Sequence, residues 1–179
     1  MSLVTDREMG SGTNRRIKDV QLSQRIMFDI ILRAVTEIDL PIFFEHQLSR
    51  EASAMAAFPS RDEEAFDAHW AKIMANESNI LKTIEVNGQA AGYLGSWEME
   101  GEREVGYWLG KEFWGRGIAT ESLKQFLGVV KTRPLFAHVA KHNIASRRVL
   151  EKCGFAIIRE DKYVNIGEEE VEEFVLKLD

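Results

Sequence analysis

Residues 104–123 read EVGYWLGKEFWGRGIATESL. An alternating apolar run, EVGYWL, meets an aromatic pair and then Gly115-Arg116-Gly117. After them Ala119, Leu123, Phe126, Leu127 and Val130 recur on one helical face. Glycines at the start of a helix forgo side-chain packing and raise the entropic cost of ordering the backbone, so bare main chain is needed there. A strand that enters Gly-x-Gly and then a helix N-terminus makes an anion site. The first-turn amides have no intrahelical partner, the helix dipole is positive at that end, and glycine lets a phosphate approach the backbone. A P-loop would need a Lys-Ser/Thr pair after the second glycine, which is absent. A dinucleotide fingerprint would need a third glycine, where Thr120 stands, and an acid roughly 20 residues on, where the chain reads AHVA. A plain glycine turn joining strand to helix stays open on this motif alone.

Working upstream, NILKTIEV (79–86) and QAAGYLGSW (89–97) flank Asn87-Gly88, a strong hairpin signal. A second turn at MEGE (99–102) leads into a strand over 103–110, completing an antiparallel meander that ends at the glycine pair. Further back, MFDIILRAV (27–35) reads as a first strand. Asp39 reads as an N-cap with Pro41 in the first turn, and Ser60 with Glu63 as a capping box before Phe66, His69, Trp70 and Ile73. Ile17, Val20 and Ile26 suggest at most a short helix in an otherwise polar start. Downstream, LFAHVA (135–140) is a short buried strand, and NIASRRVLEKC (143–153) is a helix closed by Gly154. The chain ends in a hairpin around Asn165-Ile166-Gly167. No repeat or linker interrupts this order, so one α/β domain with a largely antiparallel sheet is expected.

Bulk properties narrow the partners. The 179 residues suffice for one well-cored domain. The net charge of −6 argues against a direct nucleic-acid grip. No apolar run approaches the ~20 residues of a membrane span, and the first residues lack the apolar core of a secretory signal. The single cysteine, Cys153, excludes an intramolecular disulfide and fits a reducing, cytoplasmic setting. Residues 131–152 carry six Lys/Arg against Glu151, whereas 160–173 carry seven acids against Lys162.

Taken together, EVGYWLGKEFWGRGIATESL and AHVAKHNIASRRVLEKCGF resemble the GNAT superfamily of N-acetyltransferases. More narrowly they resemble its RimJ/RimL-like branch, whose runs are similar to GYWL…WGxGxATE and NxxSxxVLEKxGF. The likeness covers about residues 26–178. It implies a GNAT domain over 26–179 after an N-terminal extension at 1–25, with a mixed, mostly antiparallel sheet of about seven strands flanked by about four helices. It implies acetyl-CoA as co-substrate, no metal, and a pyrophosphate wrapped by the backbone of Trp114, Gly115, Arg116, Gly117, Ile118, Ala119 and Thr120. The side chain of Arg116 either adds a cation or faces solvent. Where the family usually has Gln or Arg three residues before the first glycine, this chain has Glu112.

The resemblance further implies direct attack of a neutral amine on a thioester in a ternary complex. Glu104 matches the position from which many members supply a base, against a surface glutamate as the plainer reading. Backbone amides around Trp108 and Leu109 match the oxyanion donors. The tyrosine that many relatives carry seven residues after the motif asparagine is Leu150 here. Ser146, three residues after Asn143 as in the RimL-like pattern, is by that resemblance the substitute candidate for a hydrogen-bond donor to the sulfur, and Asn143 would cap its helix or bind the pantetheine arm. Arg147 or Arg148 would meet a 3′-phosphate. Cys153 is read as packing; His46 and His69, on the helices that in this fold border the acceptor site, are read as packing or surface residues, with a base role as the alternative. The acidic final hairpin would draw a cationic acceptor toward that side, and acceptor loops are expected at 48–60 and 161–170.

The acceptor implied by the resemblance is a primary amine, either a peptide N-terminal α-amine or a small molecule. Monomer and homodimer are both compatible with the chain. Two alternatives remain: a catalytically weak acyl-CoA-binding sensor, and an interaction protein that has merely kept the turn.

Overall fold

The computed structural model describes residues 28–179, so the expected extension at 1–25 and the helix read around Ile17, Val20 and Ile26 lie outside the described residues. The elements run β1 (Ile30–Ala34), α1 (Leu40–Leu48), α2 (Arg50–Ala56), α3 (Glu63–Ala75), β2 (Ile80–Val86), β3 (Gln89–Met99) and β4 (Glu102–Leu109). They continue with α4 (Ile118–Val129), β5 (Leu135–Ala140), α5 (Ile144–Lys152), β6 (Ala156–Val164) and β7 (Glu170–Leu178). Short 3-10 turns precede α1 at Glu37–Asp39 and α4 at Lys111–Phe113.

The strands form one seven-stranded sheet in the order β1-β2-β3-β4-β5-β7-β6. Every neighbouring pair is antiparallel except β4 and β5, which run parallel and pair only at Glu104 with Phe136. Two hairpins set the register of β2–β4. Asn87 and Gly88 both have positive φ, as do Glu100 and Gly101, the mirror-image turn that suits the right-handed twist of paired strands.

Side-chain alternation gives the sheet two unlike faces. One carries Ile84, Leu94, Val105, Leu109, Ala137, Val139 and Leu176 into the main core with Ile118, Leu123 and Phe126 of α4 and Leu150 of α5. The other meets α1 and α3 through Phe43, Phe66, Trp70 and Tyr93, whose rings lie 4.9–6.0 Å apart in tilted or edge-on contacts. Such aromatic pairs each contribute about 0.5–1.5 kcal/mol beyond their area.

Three local expectations are corrected. Residues 50–56 form a helix inside the segment read as an acceptor loop, raising the α-helix count from about four to five among the described residues. The cap of α3 is Asp62, whose carboxylate accepts the Ala65 amide at 2.8 Å, and Ser60 lies outside the helix. Asp39 is the N-cap residue of α1, with Pro41 in the first turn as expected, but its side chain makes no capping bond. Its side chain instead accepts two bonds of 2.7 Å from Arg33 and others from Thr36 and Thr83. Burial alone would raise the Asp39 carboxyl, yet these donors hold it well below the usual carboxylate range. The network ties β1, β2 and the entry to α1 together.

Candidate functional site

The site begins where β4 leaves β5. Gly110 donates its amide to Ala91 on β3 at 2.8 Å. In an antiparallel ladder that fixes the direction of every residue before it: the peptide groups of 104, 106 and 108 also face β3. Those of Tyr107 and Leu109 face the opposite edge, toward β5. Past Glu104 and Phe136 the two parallel strands no longer pair, so this edge is open. The Trp108 amide is thus used within the sheet, while the Leu109 amide points into the opening. Gly92 on β3 lets the two strands approach, since a Cβ there would lie 2.1 Å from the Trp108 carbonyl.

Next to the opening is the glycine turn. Trp114 folds back and donates its indole Nε1–H to the Leu109 carbonyl at 2.8 Å, fixing the turn against the end of β4. Gly115 and Gly117 adopt φ of +71° and +78°, the left-handed region that side chains disfavour. A Cβ on either would meet no protein atom within 4 Å, so the outer side of the turn is open. Gly117 is the N-cap of α4 and supplies no side-chain acceptor. The first-turn amides of α4, at Ile118, Ala119 and Thr120, therefore have no side-chain cap and end at an open surface. The exposed Arg116 guanidinium lies 5.9 Å from the Phe28 ring centroid. The donor set of this cradle, bare amides at a positive helix end, suits a diphosphate.

A second helix N-terminus closes the other side. Asn143 caps α5 by accepting the Ser146 amide at 3.0 Å. Ser146 Oγ lies 3.0 Å from the phenolic oxygen of Tyr107, which reaches it from β4. Burial pushes the Tyr107 phenol up to about 12 despite its bond with Ser146. Leu150 is buried in the core between α4 and α5. Cys153 is half-buried, with its thiol 3.6 Å from the Thr120 carbonyl, a packing position beneath the first turn of α4. Arg147 lies 3.5 Å from Glu151 and over the Phe174 ring.

The opposite face of β4 carries Glu104 and Trp108 (alternating with Val105 and Tyr107), with Gly106 between them leaving space for Trp97. The Glu104 side chain is only 2% exposed and lies 3.3 Å from His138 Nε2. The other ring nitrogen of His138 is 2.6 Å from Glu173, itself 8% exposed. Hydrogen bonds to Glu104 and then Glu173 raise His138 to about 10 against the opposing effect of burial, so the ring is an imidazolium at neutral pH. A carboxylate–imidazolium–carboxylate bridge thus stitches β4, β5 and β7 at the point where the sheet opens. The Trp108 indole nitrogen is buried without a partner among the described residues. His46 packs against Gly110, close to Glu112 at 3.3 Å, and His69 is half-buried with its pKa lowered by burial. A cleft of about 570 Å³ on the α2 side is lined by Ala54, Phe58, Lys141, His142, Asn165 and Glu169–Glu172.

Sequence reasoning brought Trp114–Thr120, Leu109, Asn143 and Ser146 into one neighbourhood. It missed Tyr107, whose place in the GYWL run was visible but whose proximity to Ser146 depends on how α5 packs. It missed His138 and Glu173, which carry no motif.

Residues 29–156 match the family model of the acetyltransferase (GNAT) domain. The chain belongs to the GNAT acetyltransferase family. Membership makes it an N-acetyltransferase whose acyl donor is acetyl-CoA. Solved structures with the same fold include RimL, the ribosomal L7/L12 alpha-N-protein acetyltransferase in complex with coenzyme A. It is 21% identical with a TM-score of 0.67, over 82% of this chain and 92% of that one. Another is spermidine N-acetyltransferase from Vibrio cholerae with CoA and spermine, 17% identical with a TM-score of 0.68, over 83% and 95%. A third is RimJ from Mycobacterium smegmatis with CoA-disulfide, 19% identical with a TM-score of 0.68, over 83% and 81%. A sequence search of curated proteins found no significant match.

Proposed function

We propose that this GNAT enzyme acetylates an α-amine at the N-terminus of a peptide or protein, by direct attack in a ternary complex. The observation that carries the choice of acceptor is the state of Glu104. It is buried and ion-paired to the His138 imidazolium, so no free carboxylate stands ready as a strong base at the head of β4. An α-amine, with a pKa of about 7.7–8.0, is partly neutral at working pH and needs little help losing its proton. A lysine-like amine near 10.4 would need a dedicated base. The acidic β6–β7 turn beside the cleft, with Glu168, Glu169 and Glu170, suits an acceptor that arrives positively charged.

The thioester donor supplies an activated acetyl group. The backbone of Trp114, Gly115, Arg116, Gly117, Ile118, Ala119 and Thr120 holds its diphosphate, and Asn143 lies beside the arm that enters between β4 and β5. The Leu109 amide, turned to the open edge, donates to the developing oxyanion, a role worth roughly 3–4 kcal/mol where measured elsewhere. Ser146 donates a hydrogen bond to the leaving sulfur.

Release of free thiol from acetyl-CoA against a panel of N-terminal peptides, polyamines, amino sugars and lysine derivatives tests the reading. Turnover at pH 7 is expected to be highest with the N-terminal peptides. Faster turnover with polyamines would replace the α-amine, and binding of acetyl-CoA with no thiol release from any amine would turn the enzyme into a sensor.

A further inference from the structure

We infer that Tyr107 is a positioning residue that sets the direction of the Ser146 hydroxyl, and so stands in, from strand β4, for the phenol missing at Leu150. The inference rests on the proposed role of Ser146. Three observations carry it. Tyr107 Oη and Ser146 Oγ are 3.0 Å apart, and the two residues come from different elements. Ser146 is held in place from its other side, because the Asn143 side chain accepts its amide at 3.0 Å. Tyr107 is the only side chain within hydrogen-bonding distance of the Ser146 hydroxyl among the described residues.

A hydroxyl has one proton and a freely turning O–H. Alone, the Ser146 proton would sample every direction open to it, and only a fraction of enzymes would present it to the leaving sulfur. A phenol is a far better donor than an alkyl hydroxyl. With the phenolic O–H donating to Ser146 Oγ, the serine proton is turned away from Tyr107 and freed for a second acceptor. Tyr107 sits on the face of β4 that packs on α5, one residue from Trp108 and two from Leu109, so the strand that offers the oxyanion donor also orients the thiolate donor. Burial keeps the phenol neutral throughout the working pH range, so it stays a donor. As the acetyl group moves, the bond from amine nitrogen to carbonyl carbon forms, the carbon–sulfur bond breaks and its electron pair remains on sulfur. The Ser146 hydrogen bond stabilises that charge without transferring its proton. The amine proton and the proton the thiolate later takes up are exchanged with solvent.

The test is a double-mutant cycle of Tyr107→Phe and Ser146→Ala, read in two ways. In the unligated protein, urea unfolding of the four chains is expected to show non-additive stabilities, because both single variants break the same bond. With saturating acetyl-CoA and the best acceptor peptide, Tyr107→Phe is expected to lower kcat about tenfold with the KM for acetyl-CoA unchanged. In the Ser146→Ala background it is expected to lower kcat no further. Equal losses in both backgrounds, or no loss in either, would overturn the inference. Failure of the wild-type chain to release thiol with any amine would instead overturn the proposed function, leaving the stability cycle to decide the hydrogen bond alone. Should Tyr107→Phe not fold, a fluorinated tyrosine at 107 keeps the ring shape and lowers the phenol pKa. Its kcat is then expected to fall at a lower pH than in wild type, and an unmoved profile would overturn the positioning role.

Discussion

The two faces of the sheet are built on different logic. On the α4–α5 face the proposed cradle is local: Leu109 through Thr120 form one continuous segment, two left-handed glycines shape it, and the Trp114 indole pins it to the strand it has just left. On the α1–α3 face the polar work is done by residues distant in sequence. Glu104, His138 and Glu173 converge from three strands, and Arg33 and Thr83 reach from two others to Asp39 in the turn before α1. Local devices answer to single backbone substitutions, whereas assembled ones fail cooperatively. The sharpest way to break the comparison is Gly117→Val. A Cβ there meets no protein atom within 4 Å, but the residue must adopt φ of +78°, costing roughly 1–3 kcal/mol. It also intrudes on the surface where the diphosphate would rest. We expect calorimetry to show acetyl-CoA affinity lowered at least about a hundredfold, near 2.7 kcal/mol. A variant that melts earlier yet binds normally would move the cradle elsewhere.

The assembled side is probed by Glu104→Gln. Losing one carboxylate leaves the His138 imidazolium with Glu173 alone in a mostly buried setting, and we expect roughly 1–3 kcal/mol of lost stability. If Glu104 is only a strut, turnover at a temperature where the variant is folded falls by less than about tenfold. A general base would cost 10²–10⁴. Stability unchanged and turnover lost by a thousandfold would return Glu104 to the base role the motif suggests.

His138 also makes a pH prediction whose sign follows from its raised pKa of about 10. The folded state binds the proton more tightly than the unfolded chain, where histidine titrates near 6.5. The bridge therefore contributes its full stability below about pH 6.5, and progressively loses it as pH rises toward 10. The surrounding charges are Glu104, Glu173 and Asp161, the last paired with Arg159 at 3.5 Å. Burial pushes Tyr107 up to about 12, above this window, so it does not mask the effect. Denaturant unfolding at pH 6, 8 and 10 should show wild type losing stability while His138→Gln stays comparatively flat. Parallel curves would sink the bridge.

How much was legible in the sequence follows the same division. The hairpins at Asn87-Gly88 and Glu100-Gly101 were readable because their turns demand positive φ at named positions. The glycine turn was readable as a turn because Gly115 and Gly117 sit directly before an apolar helical period, and both take the positive φ that glycine tolerates. Asp62 outcompeted Ser60 as the cap of α3 by two residues, a distance at which spacing rules blur. Helix α2 was hidden because REASAMA has little apolar periodicity, and packing rather than pattern makes it helical. His138 looked like an ordinary strand residue in LFAHVA. Its meaning depends on β7 lying beside β5, and no local feature announces that order.

The smallest expected effect concerns steering by the acidic β6–β7 turn, and here the structure selects the useful mutation. Glu170 is already paired with Lys162 at 2.8 Å, and Glu169 reaches Asn165 at 3.4 Å, so reversing either also disturbs the turn. Glu168 makes no ion pair among the described residues and is exposed, which makes Glu168→Lys the cleaner change. Exposed charge pairs are worth about 0.2–1 kcal/mol, so the acceptor KM for a cationic peptide should rise roughly twofold to fivefold at low salt. The difference should fade near 0.5 M salt, where the screening length falls well below the ~10 Å of 0.1 M. The acetyl-CoA KM should not move, because the glycine turn proposed to hold it lies on the other face. A shift in both constants would mean that the two faces communicate through β4, and an indifferent acceptor KM would mean that the acidic turn guides nothing.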